Sequence, residues 1–415
     1  MKKKILIIGN SVKEYALAKY LSNDADVFVA PGSSTMKDFS TPVDIREDSV
    51  SELLDFVMEN GIDLTIPVSK KALNTDIVEI FNKNEQQIFA PALNSSKIVF
   101  DKALAKKTLY KLRIPTPKFG IFEKQNMVMD YIKNLKNPFV IKTNDDSSAV
   151  VLTSQQQAKS IVDSLFTEKN QKVIIEDYIW GSPFSFYAVT DGYKAIPLGS
   201  SIVYKHSLEG DGGQLTTGMG ACSPNYKLST ENEYYLMDNV IYPTLDMLEI
   251  EGNPYVGILG VNGIIADDGR LQILGYQSFM QDVDCQAILN LLDDNFLTLC
   301  QACVIGSFSD EVEFIKQRDL ASVSIVLNCK NKENLQNAII GLDNLDESTS
   351  VAFYPNIFKN RYLEFEAQYG PVLVLTSTAR TISSACEKVY DEVSEISFKG
   401  ISYRKDICKP VKSAL

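Results

Sequence analysis

KILIIGNSVKEYALAKYLSNDADVFVAPG, residues 4–32, decides the fold. Ile5 to Ile8 is an unbroken aliphatic run stopped by Gly9, too short for a helix and apolar on both faces. That is the pattern of a strand buried from both sides. EYALAKYLS then carries its apolar residues at helical spacing, and DVFVAPG returns to strand before closing on Pro31-Gly32. Two buried strands joined by a helix imply parallel pairing through a crossover. The alternation continues with SVSELLDFVMENG as helix, DLTIPV as strand, ALNTDIVEIFNKN as helix and QQIFAP as strand. The first hundred residues therefore predict a doubly wound parallel α/β domain, whose ligands sit beyond the carboxyl ends of the strands. Its first turn, Gly9 to Glu14, has one glycine and reads as a plain strand-to-helix turn.

Further along, the helical pattern from Ser95 to Leu112 stops at Ile114-Pro115. PFVIKTNDD reads as strand, SQQQAKSIVDSLF as helix and KVIIEDYI as strand. FSFYAVTDGYKAIPLGSSIVY gives two strands about Asp191-Gly192, a hairpin signal. EGDGGQLTTGMGACSP, residues 209–224, packs five glycines into sixteen residues. That density argues against a long helix or a central strand and predicts a loop that brings backbone close to a partner. STENEYYLMDNVIYPTLDMLEIEG predicts a helix. VGILGVNGIIADDGRLQILGYQ predicts two strands about Asp268-Gly269, and a helical segment runs on through Val304. The last hundred residues mix strands (ASVSIVLN, PVLVLTS) with a helix (TISSACEKVYDEVSE).

With 415 residues, 45% of them hydrophobic and 23% charged, the chain is an ordinary globular one of several domains. A formal net charge of −12 argues against nucleic-acid and membrane-surface partners, which reward a basic face. The apolar run after MKKK breaks at Gly9, too short for a signal-peptide core or a membrane span. Seven scattered cysteines fit a reducing cytoplasm. Cys300 and Cys303 form a CxxC inside an apolar helical run, with no second pair and a single histidine in the chain. Packing is the favoured role there, over zinc or redox chemistry.

A colinear set of stretches resembles the glycinamide ribonucleotide synthetase (phosphoribosylamine–glycine ligase) family of ATP-grasp ligases. The set comprises VFVAPG at 27–32, DLTIPV at 63–68, IFAP at 88–91, IPTP at 114–117 and PFVIK at 138–142. It continues with IIEDYIWG at 174–181, TGMGACSP at 217–224, NPYVGILG at 253–260 and YRKDI at 403–407. The resemblance runs nearly end to end. It implies a multidomain α/β and α+β protein: an N-terminal parallel α/β domain over 1–100, an ATP-grasp core over 101–310 with a lid at about 116–185, and a small C-terminal α+β domain over 311–415. It also implies ATP and magnesium as cofactors, and nucleotide and phosphoribosyl ligands. In that chemistry ATP phosphorylates the glycine carboxylate, and the amine of 5-phosphoribosylamine attacks the acyl phosphate. The triphosphate charge must be neutralised and the reactants aligned.

By the same resemblance Lys102 and Lys142 match the lysines on the ATP phosphates, and Glu176 and Asp177 match the hinge pair that meets adenine. Lys205, Asp211, Gly213, Thr216, Gly218 and Gly220 stand where the family lines its substrate pocket. Other positions depart from the pattern. The family's metal strand, Glu-Phe-Asn-x-Arg, reads Gly275-Tyr276-Gln277-Ser278-Phe279, so magnesium loses its carboxylate and the phosphoryl group its arginine. Asp282 and Asp284 follow, read as acids of a helix's first turn rather than as substitute ligands. The phosphate-covering loop reads TNDDSSAVVL, without glycine and with Asp145 and Asp146 adding negative charge. Pro183 stands for a ribose-contacting glutamate and Leu215 for an asparagine. Ser11-Val12-Lys13-Glu14-Tyr15 replaces Gly-Gly-Arg-Glu-His, and Pro67-Val68-Ser69-Lys70-Lys71 replaces a Gly-Pro-Glu segment. Three readings stay open: a ligase with an altered metal site and weak turnover, a non-catalytic binding or regulatory partner, and an ATP-grasp ligase of changed substrate.

Overall fold

The computed structural model describes residues 2–135, 138–144, 149–166, 172–332 and 337–408. The N-terminal run is β1 (Lys3–Gly9), α1 (Val12–Leu21), β2 (Ala25–Pro31), β3 (Thr41–Pro42), α2 (Val50–Asn60) and β4 (Leu64–Pro67). Strand β1 pairs in parallel with β2 and β4, in the sheet order β3-β2-β1-β4. Its side chains alternate between two cores. Ile5 and Ile7 pack with Val12, Leu17 and Leu21. Leu6 and Ile8 pack with Leu53, Val57 and Phe81. The doubly wound sheet is therefore built as the first thirty residues imply, and its switch point lies between β1 and β4, just above Gly9-Asn10-Ser11.

Three expectations nearby are corrected. ALNTDIVEIFNKN is two short helices, α3 (Lys70–Leu73) and α4 (Ile77–Lys83). The Thr75 hydroxyl donates to the Ala72 carbonyl at 2.6 Å, a local bond that competes with helix continuation. QQIFAP makes only an isolated parallel bridge, Thr65 with Ile88, because Pro91 has no N–H to extend the ladder. The helical run from Ser95 splits into α5 (Leu93–Phe100) and α6 (Lys102–Lys111). Asp101 between them is extended and accepts the Leu104 N–H at 2.8 Å, capping α6.

The next segment forms a separate small sheet. Strands β5 (Phe119–Phe122), β6 (Phe139–Thr143), β7 (Ala149–Leu152) and β8 (Val173–Asp177) are antiparallel in the order β5-β8-β6-β7. Helices α7 (Gln125–Ile132) and α8 (Gln155–Leu165) cover one face, burying Val128, Ile132, Phe139, Ile141, Val162 and Ile175. Asp145 and Asp146 lie outside the described residues.

Beyond it come β9 (Gly181–Asp191), β10 (Ala195–Leu208) and β11 (Gly212–Ser223), then α9 (Thr230–Leu236) and α10 (Tyr242–Ile250), then β12 (Val256–Ala266) and β13 (Leu271–Gln277). One π-helical turn, Met237–Ile241, joins α9 to α10 just before Pro243. Proline lacks the N–H that a continuous α ladder needs, and the wider turn accommodates it. Short helices α11 (Asp284–Leu289), α12 (Phe296–Ile305) and α13 (Phe308–Glu311) lead to β14 (Ala321–Cys329), β15 (Ser350–Phe353), the small hairpin β16 (Phe358–Lys359) and β17 (Phe365–Glu366), β18 (Gly370–Ala379), α14 (Ile382–Glu395) and β19 (Ile401–Ser402). One antiparallel sheet runs β13-β12-β9-β10-β11-β14-β18-β15, with β19 on β14.

The glycine-rich stretch is the main correction. It is not a loop but strand β11, held between β10 and β14, with its turn reduced to Glu209–Asp211. Its glycines admit other protein atoms. A Cβ at Gly218 (φ 143°) would lie 2.6 Å from the Val283 side chain, and one at Gly220 would lie 2.8 Å from the Ser324 carbonyl oxygen. Glycine density therefore marks crowding of strand against strand as readily as a loop. Cys300 and Cys303 sit in α12 within the core, and burial pushes both thiols well up from their ordinary range. Among the described residues no helix is long and apolar enough to cross a membrane.

Candidate functional site

Side chains two apart on a strand share a face, and diagonal neighbours on adjacent antiparallel strands are within reach of long side chains. In the register of β6 on β8, Val140 faces Glu176 and Lys142 lies two residues along. The Lys142 Nζ accordingly reaches the Glu176 Oε2 at 2.9 Å. A second lysine, Lys106 on α6, approaches the Glu176 Oε1 at 3.2 Å. Lys106 also donates to the Thr116 hydroxyl at 2.7 Å, and Thr116 donates to the Ile273 carbonyl of β13 at 2.7 Å. Lys106 and Glu176 are each 2% exposed; Lys142 is 17% exposed. Burial lowers the Lys106 pKa to about 8, against the pull of Glu176. Burial also works against the Glu176 carboxylate, yet the two ammonium groups outweigh it and hold its pKa below the ordinary value.

Lys102 opens α6 at the same place. Its N–H donates to the Asn144 carbonyl at 3.2 Å, and Ala103 N–H to the Asn144 Oδ1 at 2.8 Å, so the end of β6 caps the helix. The structure thus brings Lys102, Lys142 and Glu176 together. Asp177 ends β8 with its N–H on the Lys118 carbonyl at 2.9 Å. A cavity of about 560 Å³ lined by Tyr110, Thr116, Pro117, Lys118, Phe119 and Tyr131 adjoins this hinge. Sequence reasoning misses Lys106, although a signal exists: it falls three residues after buried Ala103 and three before buried Leu109, on the apolar face of α6.

A second cluster gathers at the carboxyl end of β13. Asp284 opens α11, an acid of a helix's first turn as expected, and is fully buried there. Its Oδ2 receives the Ser201 hydroxyl at 2.6 Å and faces the Tyr187 hydroxyl at 2.9 Å, and its Oδ1 accepts the Gln281 N–H at 2.7 Å. The same Tyr187 hydroxyl lies 2.8 Å from the Gln277 Oε1. One phenol has one hydrogen for two acceptors, so the network closes either with a proton on Asp284 or with the Gln277 amide turned to donate to Tyr187. Burial pushes its pKa up to about 6, with the hydrogen bonds from Ser201, Tyr187 and Gln281 and the charge of Lys205 opposing. Gly275 pairs with Asn262 across to β12, and a Cβ there would meet only the Asn262 Oδ1, at 3.8 Å. Phe279 is packed in the main core. Magnesium takes oxygen donors from one or two carboxylates. Gly275 supplies none, the Gln277 oxygen and the Asp284 Oδ2 share the Tyr187 hydroxyl, and the Asp284 oxygens also accept from Ser201 and the Gln281 N–H. The residues of this strand do not fit the ion.

The sequence-chosen substrate residues lie along β10 and β11. Asp211 accepts the Arg404 Nη1 at 3.0 Å, and Thr216 donates to the Lys205 carbonyl at 2.8 Å and accepts the Gly218 N–H at 3.1 Å. Gly213 (φ 78°) follows the turn, and Gly220 faces Ile325 of β14. Arg404, 2% exposed, also binds Asp406 at 2.7 Å and the His206 carbonyl at 3.0 Å, so the YRKDI segment clamps the β10–β11 turn. Asp282 lies against the first turn of the N-terminal domain: the Ser11 hydroxyl donates to its Oδ1 at 2.7 Å, and Lys13 Nζ lies 3.9 Å away. Ser11 also bonds Glu14, whose carboxyl pKa is raised by burial and by Asp282, with Lys13 opposing. Tyr187 and Ser201 escape sequence reasoning as site residues, because their partners Gln277 and Asp284 are remote along the chain.

Residues 3–98 match the family model described as phosphoribosylglycinamide synthetase, N domain, and residues 100–285 match its ATP-grasp (A) domain. The phosphoribosylamine–glycine ligase of Vibrio parahaemolyticus is 28% identical over 97% of both chains. That of Fusobacterium nucleatum is 28% identical over 97% of this chain and 98% of its own. The crystal structure of phosphoribosylamine–glycine ligase from Thermotoga maritima superposes with a TM-score of 0.81 at 21% identity, covering 97% of this chain and 99% of its own. N5-carboxyaminoimidazole ribonucleotide synthetase from the same organism gives 0.64 at 14%, over 96% and 100%.

Proposed function

The chain belongs to the phosphoribosylglycinamide synthetase family of ATP-grasp ligases, and from that premise we propose that it is a phosphoribosylamine–glycine ligase-like protein of purine biosynthesis with weak turnover. It keeps a nucleotide cleft between the small sheet β5-β8-β6-β7 and the long sheet, and lacks magnesium-assisted phosphoryl transfer.

In this reading ATP is the substrate that supplies the phosphoryl group. Lys142 and Lys102 meet its phosphates, and the backbone around Glu176 and Asp177 meets adenine. Their convergence at the β6–α6 junction supports this. Lys205, Asp211, Gly213, Thr216, Gly218 and Gly220 frame the wall where glycine and phosphoribosylamine would align. The observation that carries weak turnover is the state of the metal strand: Gly275 offers no oxygen, and Gln277 and Asp284 already face hydroxyl and amide donors. Phe279, packed in the core, has no charge to place on a developing phosphoryl group. That last observation also favours the second reading, a binding protein without turnover.

The test is product formation. Purified protein receives ATP, magnesium, glycine and freshly generated phosphoribosylamine, and glycinamide ribonucleotide is read by mass. Expected is product slower than about one turnover per second, the low end of ordinary enzymes, and abolished by Lys142→Ala. A rate of about 10 per second or more would overturn the reading of the metal strand. Product indistinguishable from the blank would select the binding protein.

A further inference from the structure

Glu176 presents one negative charge to two lysines, so the buried triad holds one positive charge in surplus. The two lysines are not equivalent. Lys106 is 2% exposed and is tied through Thr116 to the Ile273 carbonyl of β13, with the Phe119 ring 6.0 Å from its Nζ. Lys142 stands on β6 near its end, is 17% exposed, and belongs to the face that the nucleotide reading assigns to phosphates. A buried carboxylate that loses its last cation is strongly destabilised, whereas one that keeps a partner is not.

We infer that Lys106 is a positioning residue: it keeps Glu176 compensated, so that Lys142 can leave Glu176 for the phosphates of a nucleotide. This rests on the nucleotide reading of the cleft. With Lys106 in place, departure of Lys142 leaves a neutral Lys106–Glu176 pair. Without Lys106, the same departure leaves a bare carboxylate in a site of low dielectric, and Lys142 stays on Glu176. Lys106 therefore acts on anionic ligands through Lys142 and touches no ligand itself.

The experiment is calorimetric titration of the full chain with two probes, magnesium-free ATP and adenosine, in wild type, Lys106→Met, Glu176→Gln and the double variant. Lys106→Met should weaken ATP by about 10- to 100-fold, the scale of a half-compensated buried charge, and leave adenosine unchanged. The double variant should recover ATP affinity, because the neutral amide introduced by Glu176→Gln makes no claim on Lys142. ATP affinity unchanged in Lys106→Met overturns the inference. So does a parallel fall for both probes, which marks a merely structural role, and so does failure of the double variant to recover. If Lys106→Met does not fold, Lys106→Gln takes its place: a selective fall in ATP affinity supports the inference, and an unchanged affinity or a parallel fall for both probes overturns it. Wild type that binds neither probe refutes the nucleotide cleft and this inference with it, a result visible without any variant.

Discussion

Asp284→Asn removes the one carboxylate that is fully buried at the end of β13. Its pKa stands at about 6 against an ordinary value of 3.8, because burial disfavours the charge. Below pH 4 both the folded protein and the unfolded chain hold this proton. Between pH 4 and pH 6 the folded protein still holds it and the unfolded chain has released it. The native state then binds more protons, so stability falls as pH rises, and the loss is complete above about pH 6. A displacement of about two pH units corresponds to about 3 kcal/mol. Asparagine does not titrate, keeps a carbonyl for the Gln281 N–H, and can donate from its amide to Tyr187 or Ser201. Urea unfolding followed by circular dichroism at pH 4, 5, 6 and 7 isolates the effect as the difference between wild type and variant. That difference should shift by about 3 kcal/mol against wild type from pH 4 to pH 7. A difference that does not vary with pH, or one that shifts toward wild type, would refute the argument.

Magnesium should change the ATP dissociation constant by no more than about threefold in calorimetry, since the β13 strand offers no free carboxylate; a large magnesium-dependent gain would show a ligand set elsewhere. Gly220→Val should cost about 2–3 kcal/mol in thermal unfolding, because a Cβ there meets the Ser324 carbonyl at 2.8 Å and the Ile407 side chain at 2.9 Å. A neutral outcome would refute the crowding of β11 against β14 at that glycine. Arg404→Met should cost about 1–2 kcal/mol, discounted because Asp211 is half-exposed, and should speed amide exchange at residues 209–213 more than elsewhere.

The parts of the fold legible in the sequence are those whose burial is written locally. Ile5 to Ile8 face two cores, and four consecutive aliphatic residues announce that without any knowledge of the partners. The Asp191-Gly192 hairpin is equally local, with the Asp191 carboxylate accepting the N–H groups of Tyr193 and Lys194. Strand β11 reads as a loop in sequence because its conformation is imposed from outside. Gly218 and Gly220 are needed where Val283 and Ser324 press on the strand, and those residues lie far along the chain. The breaks at Asn74 to Asp76 and at Asp101 come from single polar side chains bonding nearby backbone, a signal weaker than the helical periodicity around it.

The same distinction governs the site. Lys102 and Lys142 could be chosen from the resemblance of their own stretches, but Lys142 is held by Glu176, and Glu176 is held by Lys142 and Lys106 together. Lys106, Lys142 and Glu176 lie more than thirty residues apart in the chain. Likewise the resemblance makes Gly275 a deleted carboxylate, whereas only the structure shows what surrounds the buried carboxylate that follows it, Asp284. Tyr187, Ser201, Gln277 and Gln281 form a hydrogen-bonded shell about Asp284 that needs no cation to be satisfied. Two or more ionised carboxylates on this face would repel one another unless a metal lay between them. A single carboxylate among hydroxyl and amide donors does not carry that penalty, and it can hold a proton instead. Asp284, buried among hydroxyl and amide donors, therefore keeps a hydrogen-bonded carboxyl that can be held protonated at this end of the long sheet.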